Sequence, residues 1–597
     1  MIPVAIVGGG PVGLVSSILL SMSGIDHIVF EQYPDTSIHP KALGINQRTV
    51  EIFQHLGIEE ELIKHRAPFE SVSHTAWYTG LGKEDIEIVK REAWGAGERS
   101  EEYQRNSPAQ YSILPQIRLE PILKRRALSL NPNAIRYSTK VLGVREEDES
   151  VILLVRTKDG VEEEVHAQYV LGADGGRGFA QNIGIDWEGK QDIVEMMTVH
   201  FKAELEALHP DKNVFLSWLI NPTMRGSLGT GYCYHIGPYY PEREANSEWV
   251  FAFPRLPEDP STFENEDTIK RIQRSLGIPD LDINLLSISS WTVNAIVAQQ
   301  YRSKGGKVFL VGDAAHRFPP WGALGMNTGI QDAYNLIWKL VFALRSPDPK
   351  RFDNLLDTYE AERQPIARRV ASNSLSNMLN HGNVMDTAIG ISPDAAVESN
   401  LEAVRAFSDP NHPQYKAKRD AVKKAAEDLD LEFNAPGIEI GWFYPSADIN
   451  REGDKTRHDG QLLEDGEYDI TDYHPSTIPG HNLPHAWLKR GDKEVSTRHL
   501  IRHDSFLLLV NSPQWVPLQS ELIHVEVIDN KEGWTDRDGT WNRLCNVGST
   551  GAVLVRPDGI VAWRAQEWIY EREWIYEGKG LFPGVLDNVL KPRRHED

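Results

Sequence analysis

The stretch Val4-Ala5-Ile6-Val7-Gly8-Gly9-Gly10-Pro11-Val12-Gly13 decides the fold. Val4 to Val7 is a short apolar run of the kind that makes a buried strand. Glycines follow at once, and a helical pattern then runs from Leu14 to about Met22. A second strand is expected from Ile25 to Phe30, ending at Glu31, eighteen residues past Gly13. Each part has a physical reason. Gly8 permits a tight turn, Gly10 lets backbone approach a pyrophosphate at a helix N-terminus, and Gly13 lets helix and sheet pack closely. Glu31 can accept hydrogen bonds from a ribose. Strand, glycine turn, helix, strand and acid in this register predict a dinucleotide cradle.

Two later stretches repeat the theme of an apolar strand running into a glycine-and-aspartate turn. Tyr169-Val170-Leu171-Gly172-Ala173-Asp174-Gly175-Gly176-Arg177-Gly178 is the first. Val308-Phe309-Leu310-Val311-Gly312-Asp313-Ala314-Ala315-His316 is the second. It continues through Pro319-Pro320-Trp321-Gly322 and Gly325-Met326-Asn327 into a helix expected from about Ile330 to Leu344. Either stretch alone is an ordinary strand-to-helix turn; with the N-terminal motif they become specific.

Composition limits the alternatives. At 597 residues the chain is too long for a single core, so two or three domains are expected. The formal charge of −23 argues against a nucleic-acid binder, which needs a basic face. Two cysteines, Cys233 and Cys545, leave no room for a disulfide framework, an iron–sulfur cluster or a cysteine-rich zinc site. The spacing of His474, His481 and His485 matches no tight ligand motif, so no metal is expected. There is no unbroken run of eighteen apolar residues, and the N-terminus lacks the basic region of a signal peptide. A cytoplasmic protein without a membrane partner is expected.

The three motifs together resemble the single-component FAD-dependent aromatic hydroxylases, the family of para-hydroxybenzoate hydroxylase and phenol hydroxylase. The first later stretch matches that family's Asp-Gly motif and the second its Gly-Asp motif. His39-Pro40-Lys41-Ala42, Asn46 to Phe53 and Trp291-Thr292-Val293-Asn294 look like its phenol and chlorophenol branch. The resemblance implies FAD as cofactor, with Glu31 on the adenosine ribose and Asp313 on the ribityl chain or the flavin-proximal ribose. Asp174 is tied to FAD and NAD(P)H binding. The backbone of Gly325, Met326 and Asn327 lies along the isoalloxazine, and Pro320 lies beside its reactive edge. Arg48 and Gln116 contact the flavin or its diphosphate, and Lys41 stands where an arginine is common. Two departures stand out. Gly178-Phe179-Ala180-Gln181 replaces the usual continuation of the Asp-Gly motif, and Trp321 stands where a small residue is more usual.

The fold implied is α/β, a Rossmann-like FAD-binding domain of the para-hydroxybenzoate hydroxylase type. Its pieces are 1–75, 110–180 and 295–355, with a β-sheet substrate domain from 76–109 and 181–294. A charged helical segment over 356–430 and a thioredoxin-like C-terminal domain over 433–597 complete it. The C-terminal part has no Cys-x-x-Cys pair, so redox activity there is not expected. A structural or homo-oligomer-forming role fits better.

The resemblance also implies the chemistry: NAD(P)H, taken to be NADPH rather than NADH, reduces the flavin, and dioxygen forms a C4a-hydroperoxide. That species hydroxylates a phenol. In the aromatic-rich stretch Val194 to Phe253, Arg225, Tyr232, Tyr234 and His235 carry polar tips on apolar bodies. That suits a phenol pocket. His235 and Tyr232 are the candidate bases, with Arg225 as a charge partner for phenolate. His316 is either part of the site or packing. The alternatives are hydroxylation or Baeyer–Villiger insertion on a larger polyketide- or terpenoid-derived phenol, a dehydrogenase or oxidase without oxygen insertion, and a non-catalytic scaffold. The duplicated Glu567-Trp568-Ile569-Tyr570-Glu571 and Glu573-Trp574-Ile575-Tyr576-Glu577 has no functional reading.

Overall fold

The computed structural model describes residues 1–239, 247–256, 259–260, 263–444, 458–529, 533–568 and 581–590. Most of the duplicated hexapeptide lies outside these residues. Five strands run parallel in one sheet, in the order Ile135–Arg136, His27–Phe30, Ile2–Val7, Glu162–Gly172 and Val308–Leu310. Val4, Ala5, Ile6, Val170, Leu171, Val308 and Phe309 are all fully buried, the continuous apolar pattern of a parallel sheet covered on both faces. Phe30, Val7, Gly172 and Leu310 pair across the sheet in one row. The residues that follow them therefore leave from the same edge. That edge, the carboxyl end of the strands, is where open α/β sheets bind ligands.

The helix after the first turn spans Pro11–Met22, three residues longer than its apolar periodicity suggests. Pro11 opens it at no hydrogen-bond cost, because its missing N–H is one that a first turn leaves unpaired anyway. The second strand is correspondingly short, His27–Phe30. The helix after the Gly-Asp turn begins at Gly325 and runs to Arg345, five residues earlier than expected. Its first turns are buried all round, including Asn327, Thr328 and Gln331, so no apolar stripe announces them.

A second, eight-stranded sheet carries Trp187–Lys202, Val214–Asn221, Gly231–Gly237, Glu248–Pro254 and Asn284–Ala298, with His74–Tyr78 and Glu87–Glu92 at one edge and His316–Arg317 at the other. Helix Asn265–Leu276 covers one face through Ile272 and Leu276. The other face meets the loop before Gly325 and the helical segment beyond Asp353. Helix Tyr415–Asp428 keeps its lysine- and acid-rich side exposed and buries Val422, Ala425 and Ala426 against this face.

The C-terminal part holds a four-stranded sheet in the order Ile523–Val527, Phe506–Val510, Ala552–Val555 and Val561–Ala565. The first two strands are parallel and the last two form an antiparallel hairpin. Pro557-Asp558-Gly559 forms the hairpin turn between these strands. Among the described residues no helix is long and apolar enough to cross a membrane.

Candidate active site

Three glycine turns converge at the carboxyl edge of the parallel sheet. A Cβ on Gly8, whose φ is +115°, would lie 2.2 Å from the Ala173 carbonyl oxygen, so the first turn rests directly on the Asp174 turn. A Cβ on Gly13 would lie 2.0 Å from the Gly8 oxygen. Val12 wedges against the third turn: Cβ atoms on Gly312 and Gly329 would come within 2.9 Å and 2.8 Å of its Cγ2. A Cβ on Gly176 would lie 2.8 Å from the Asp313 carbonyl oxygen. By contrast, a Cβ on Gly10, Gly175 or Gly178 would meet nothing within 4 Å. The turns are locked together by some glycines and kept open by others.

The acids at this edge differ in what they already hold. Glu31 accepts from the Gly9 N–H at 2.7 Å and from the Tyr33 N–H at 2.8 Å, one on each oxygen. A carboxylate has about four acceptor positions, so each oxygen keeps one for a ribose hydroxyl. Asp174 accepts from the N–H groups of Gly176 and Phe179, both at 3.0 Å, and so fixes its own turn. Burial raises its pKa, and these amides oppose that rise. Asp313 is exposed, and its side chain makes no hydrogen bond or ion pair among the described residues. The turn beneath it is braced by Asp332, which accepts from the Gly312 N–H at 3.2 Å, His316 Nε2 at 2.7 Å and Arg363 Nε at 2.8 Å. His316 is therefore part of the buried support, stacked on Phe318 at 4.5 Å.

The remaining expected cofactor residues border the same edge or support it. Helix Gly325–Arg345 has no acid in its first turn, which leaves its positive N-terminus available to an electron-rich group. Asn327 braces that end. Its amide donates to the carbonyls of Gly44 and Ala323 and accepts from the Asn46 N–H at 3.0 Å. Met326 is buried and Pro320 exposed. Gln116 donates through its side chain to Glu120 at 2.6 Å and through its backbone N–H to the Ala42 carbonyl at 2.8 Å, next to the exposed Lys41. Arg48 is buried and turned toward the C-terminal part, donating to Glu51 at 2.9 Å and to the Asp558 carbonyl.

Next to the loop that leads into helix Gly325–Arg345, the second sheet presents an aromatic cluster. Trp321 stacks on Trp218 with ring centroids 6.1 Å apart and planes 14° apart. Tyr232 lies 4.7 Å from Trp218 and 6.2 Å from Trp321. Burial, and then the charge of Glu432, push the Tyr232 phenol well above its ordinary pKa, so it stays protonated. His235 does not join it. Side chains alternate along a strand, and His235 follows Cys233 onto the other face, 4.9 Å from Trp249 and 5.3 Å from Tyr239. The expectation that His235 and Tyr232 share a pocket is corrected by this alternation. Arg225 sits exposed in a turn with φ +63°, beside the Ser227 that donates to Asp386.

The cluster also contains a histidine that sequence reading misses. His381 lies 4.1 Å from Trp218 and 6.4 Å from Trp321, and its Nε2 meets Glu432 at 3.0 Å. Glu432 also pairs with Arg91. Fifty-one residues separate His381 from Glu432, and no local motif joins them. The one signal near His381 is the Gly382 that follows it at the end of a long helix.

The donor set fits FAD: an open glycine turn at a helix N-terminus, an acid with spare acceptor positions, a free carboxylate and an unblocked helix end. The comparisons agree. Residues 1–374 match the FAD binding domain family and residues 476–573 match the aromatic-ring hydroxylase C-terminal family. The chain is 31% identical to phenol 2-monooxygenase of Pseudomonas sp. (strain EST1001), covering 95% of this chain and 90% of that one. It is 30% identical to 2,4-dichlorophenol 6-monooxygenase of Delftia acidovorans, covering 95% of both. Among solved structures, the flavin-dependent monooxygenase PieE in complex with FAD and substrate superposes with a TM-score of 0.85 at 29% identity, over 99% of both chains. A ternary complex of aklavinone-11 hydroxylase with FAD and aklavinone gives 0.75 at 26%, again over 99% of both. The chain belongs to the FAD-dependent aromatic-ring hydroxylases, and it is a flavoprotein monooxygenase.

Proposed function

We propose that this enzyme hydroxylates a small, single-ring phenol. The observation that carries this reading is the aromatic cluster: Trp218, Trp321 and Tyr232 pack together beside the loop that leads into helix Gly325–Arg345. Flat rings stack against such walls, and one phenolic oxygen needs only a few polar partners. The relatives named for phenol and 2,4-dichlorophenol support the same substrate class. Two relatives are putative polyketide hydroxylases, which supports a larger fused-ring phenol as the second reading. Trp321 disfavours it, because its indole occupies space that a multi-ring substrate would need.

The residues would divide the work as follows. Gly10 and the N-terminus of helix Pro11–Met22 would face the FAD pyrophosphate, and Glu31 the adenosine ribose. Asp313 would take a hydroxyl of the ribityl chain. Gln116 and Lys41 would border the cofactor where their segments meet, Arg48 would brace that region from the C-terminal part, and Asp174 would hold its own turn. FAD, when bound, accepts a hydride from NAD(P)H and activates dioxygen. The protein's own task is to seat the ring, to exclude water and to manage the phenolic proton. The C-terminal sheet, a parallel pair followed by an antiparallel hairpin, supports a thioredoxin-like domain with a structural role.

The test is anaerobic mixing of the FAD-loaded enzyme with NADPH or NADH. Flavin bleaching should be faster with a simple phenol present, and oxygen from labelled dioxygen should appear in the product. Bleaching indifferent to every phenol tried, or product without the label, would reject the reading. Faster turnover of a fused-ring phenol than of a simple one would favour the second.

A further inference from the structure

The polar atoms that lack partners are not scattered evenly through the interior. His381 Nδ1, Glu432 Oε1, the indole N–H groups of Trp218 and Trp321, and the Asn377 side-chain amide are all buried without a hydrogen-bond partner. They lie together. His381 packs 4.1 Å from Trp218 and 6.4 Å from Trp321. A Cβ on Gly322, next to Trp321, would lie 3.5 Å from Asn377 Nδ2 and 3.5 Å from the Glu432 carbonyl oxygen. Folded proteins pair nearly all such groups, so a cluster of orphans marks where a polar ligand completes the structure. The loop from Pro320 to Leu324 forms one wall, and it leads directly into the helix end at the cradle.

Within that cluster, His381 is the side chain whose orphan atom is an imidazole nitrogen, the chemistry of a base. Its Nε2 faces the Glu432 carboxylate at 3.0 Å. Glu432 is ionised: burial alone would raise its pKa, but His381 and Arg91 lower it overall. A carboxylate accepts, so Nε2 is the nitrogen that donates to Glu432, and Nδ1 is the ring nitrogen left facing the cluster. Arg91 fixes Glu432 in turn. Its guanidinium is held by Thr75 Oγ1 at 3.0 Å and by the Leu429 carbonyl, and it covers the Trp77 ring at 4.7 Å. The histidine opens a π-helical turn, His381–Asp386, that ends the long helix. Such wide turns are frequent at functional sites.

We propose that His381 is the base that deprotonates the phenolic substrate, with Glu432 and Arg91 as the residues that position it. This rests on the phenol hydroxylase reading above. The substrate O–H bond breaks, its electron pair stays on oxygen, and an N–H bond forms at Nδ1. The imidazolium produced is neutralised by Glu432, and the phenolate is the more electron-rich ring to hydroxylate. After hydroxylation the same nitrogen returns its proton to that oxygen, while the C–H bond at the hydroxylated carbon breaks, its electron pair restores the aromatic ring and its proton leaves to solvent. The titratable and charged groups facing the imidazole are Glu432, Arg91 behind it and Tyr232 beside Trp218. Tyr232 stays protonated and so does not act as the base.

The test uses FAD-loaded enzyme and 4-nitrophenol, whose phenolate is coloured. Wild type should bind the probe as phenolate at a lower pH than free probe ionises. His381→Gln and His381→Asn should bind it with that downward shift lost, and Glu432→Gln should lose part of it. Turnover of unsubstituted phenol should fall ~100-fold in His381→Gln, the usual scale for a general base. The loss should shrink for a more acidic halogenated phenol that is already ionised in the assay. Flavin content and phenol-independent bleaching by NADPH should be unchanged, which separates a chemical defect from a folding one. If His381→Gln binds the probe with the wild-type ionisation profile, the assignment is overturned while the hydroxylase reading stands. If wild type neither binds any phenol nor bleaches faster with one, both fall together.

Discussion

Arg48, in the helix Gln47–Leu56 beside the cradle, donates a guanidinium N–H to the backbone carbonyl of Asp558, in the turn of the C-terminal hairpin. The contact belongs to a buried ionic seam. Glu51 pairs with Arg48 at 2.9 Å and with Arg498 from the C-terminal part. Glu362 takes both guanidinium nitrogens of Arg556 at 2.6 Å and 2.9 Å, and Lys339 at 2.7 Å. Asn335 bridges Glu362 at 2.7 Å and Asp558 at 3.1 Å. The C-terminal part is therefore joined to the cofactor-binding part by charges that have no access to water. Such pairs contribute little net stability while intact, yet removing one partner strands the other.

That asymmetry sets the first prediction. Arg498→Met should destabilise the enzyme by about 3–5 kcal/mol, the usual cost of breaking a buried pair. Burial by itself would raise the Glu51 pKa, but Arg498 and Arg48 bring it down to about 2. A depressed acid stabilises the fold above its unfolded value of 4.5 and loses that contribution as pH falls toward 2. The variant should therefore show a weaker acid dependence as well as a lower melting temperature. Denaturant titrations at neutral and acid pH measure both. An unchanged midpoint would show that the seam does not couple the two parts.

The glycines of the first turn should separate by what they face. Gly13→Ala drives a Cβ into the Gly8 oxygen at 2.0 Å, so the turn must move and the apoprotein should lose stability. Gly10→Ala meets nothing within 4 Å, and its φ of −75° suits alanine. Its apoprotein should melt like wild type, yet the added methyl occupies the approach to the pyrophosphate. FAD affinity should fall ~10-fold or more, equivalent to about 1.4 kcal/mol. Fluorescence titration with FAD, beside apoprotein melting, decides the matter. Equal FAD affinity in Gly10→Ala and wild type would remove the cofactor from this turn.

This contrast also explains how much of the molecule could be read from sequence. The three glycine turns are legible because each is local: a strand, a turn and a helix N-terminus within about a dozen residues. Parallel pairing then places them on one edge, so the cradle is legible too. The face on which Tyr232 and His235 lie depends on strand alternation, which a list of polar-tipped aromatics ignores. His381 and Glu432 could not be paired in advance, because each closes a different helical segment and only tertiary packing brings them together. The Arg48–Asp558 contact spans 510 residues and is invisible for the same reason. Arg48 carries a recognisable motif, but its neighbours in space come from the far end of the chain.

The two aspartates of the later turns should fail in different ways. Asp174 spends its carboxylate on two backbone amides, so Asp174→Ala leaves the N–H groups of Gly176 and Phe179 unpaired. A loss of about 1–2 kcal/mol in apoprotein stability is expected. Asp313 is exposed and supports nothing among the described residues, so Asp313→Ala should leave apoprotein stability within ~0.5 kcal/mol of wild type. Its effect should appear on FAD loading, as a pale enzyme at limiting cofactor. Full FAD retention in Asp313→Ala would argue that this carboxylate does not face the cofactor.

A last prediction concerns alkaline conditions. Asp386 ends the π-helical turn that begins at His381, and it accepts from both the N–H and the hydroxyl of Ser227 at 2.9 Å and 2.8 Å. Burial pushes its pKa up to about 7, although the Ser227 contacts oppose the rise. Below its unfolded value of 3.8 the carboxyl is protonated in both states, and folding is insensitive to it. Between 3.8 and about 7 the unfolded chain is ionised while the folded protein keeps the proton, so stability falls as pH rises. Above about 7 the full cost is present, at most about 4 kcal/mol for a shift of this size. Glu439, also held near 7 by burial, acts with the same sign. Asp386→Asn keeps an acceptor for Ser227 but removes the titration, so its stability should decline less than wild type from pH 5 to pH 8. Melting curves across that range check it, and a parallel decline in both proteins would show that Asp386 is not the group responsible.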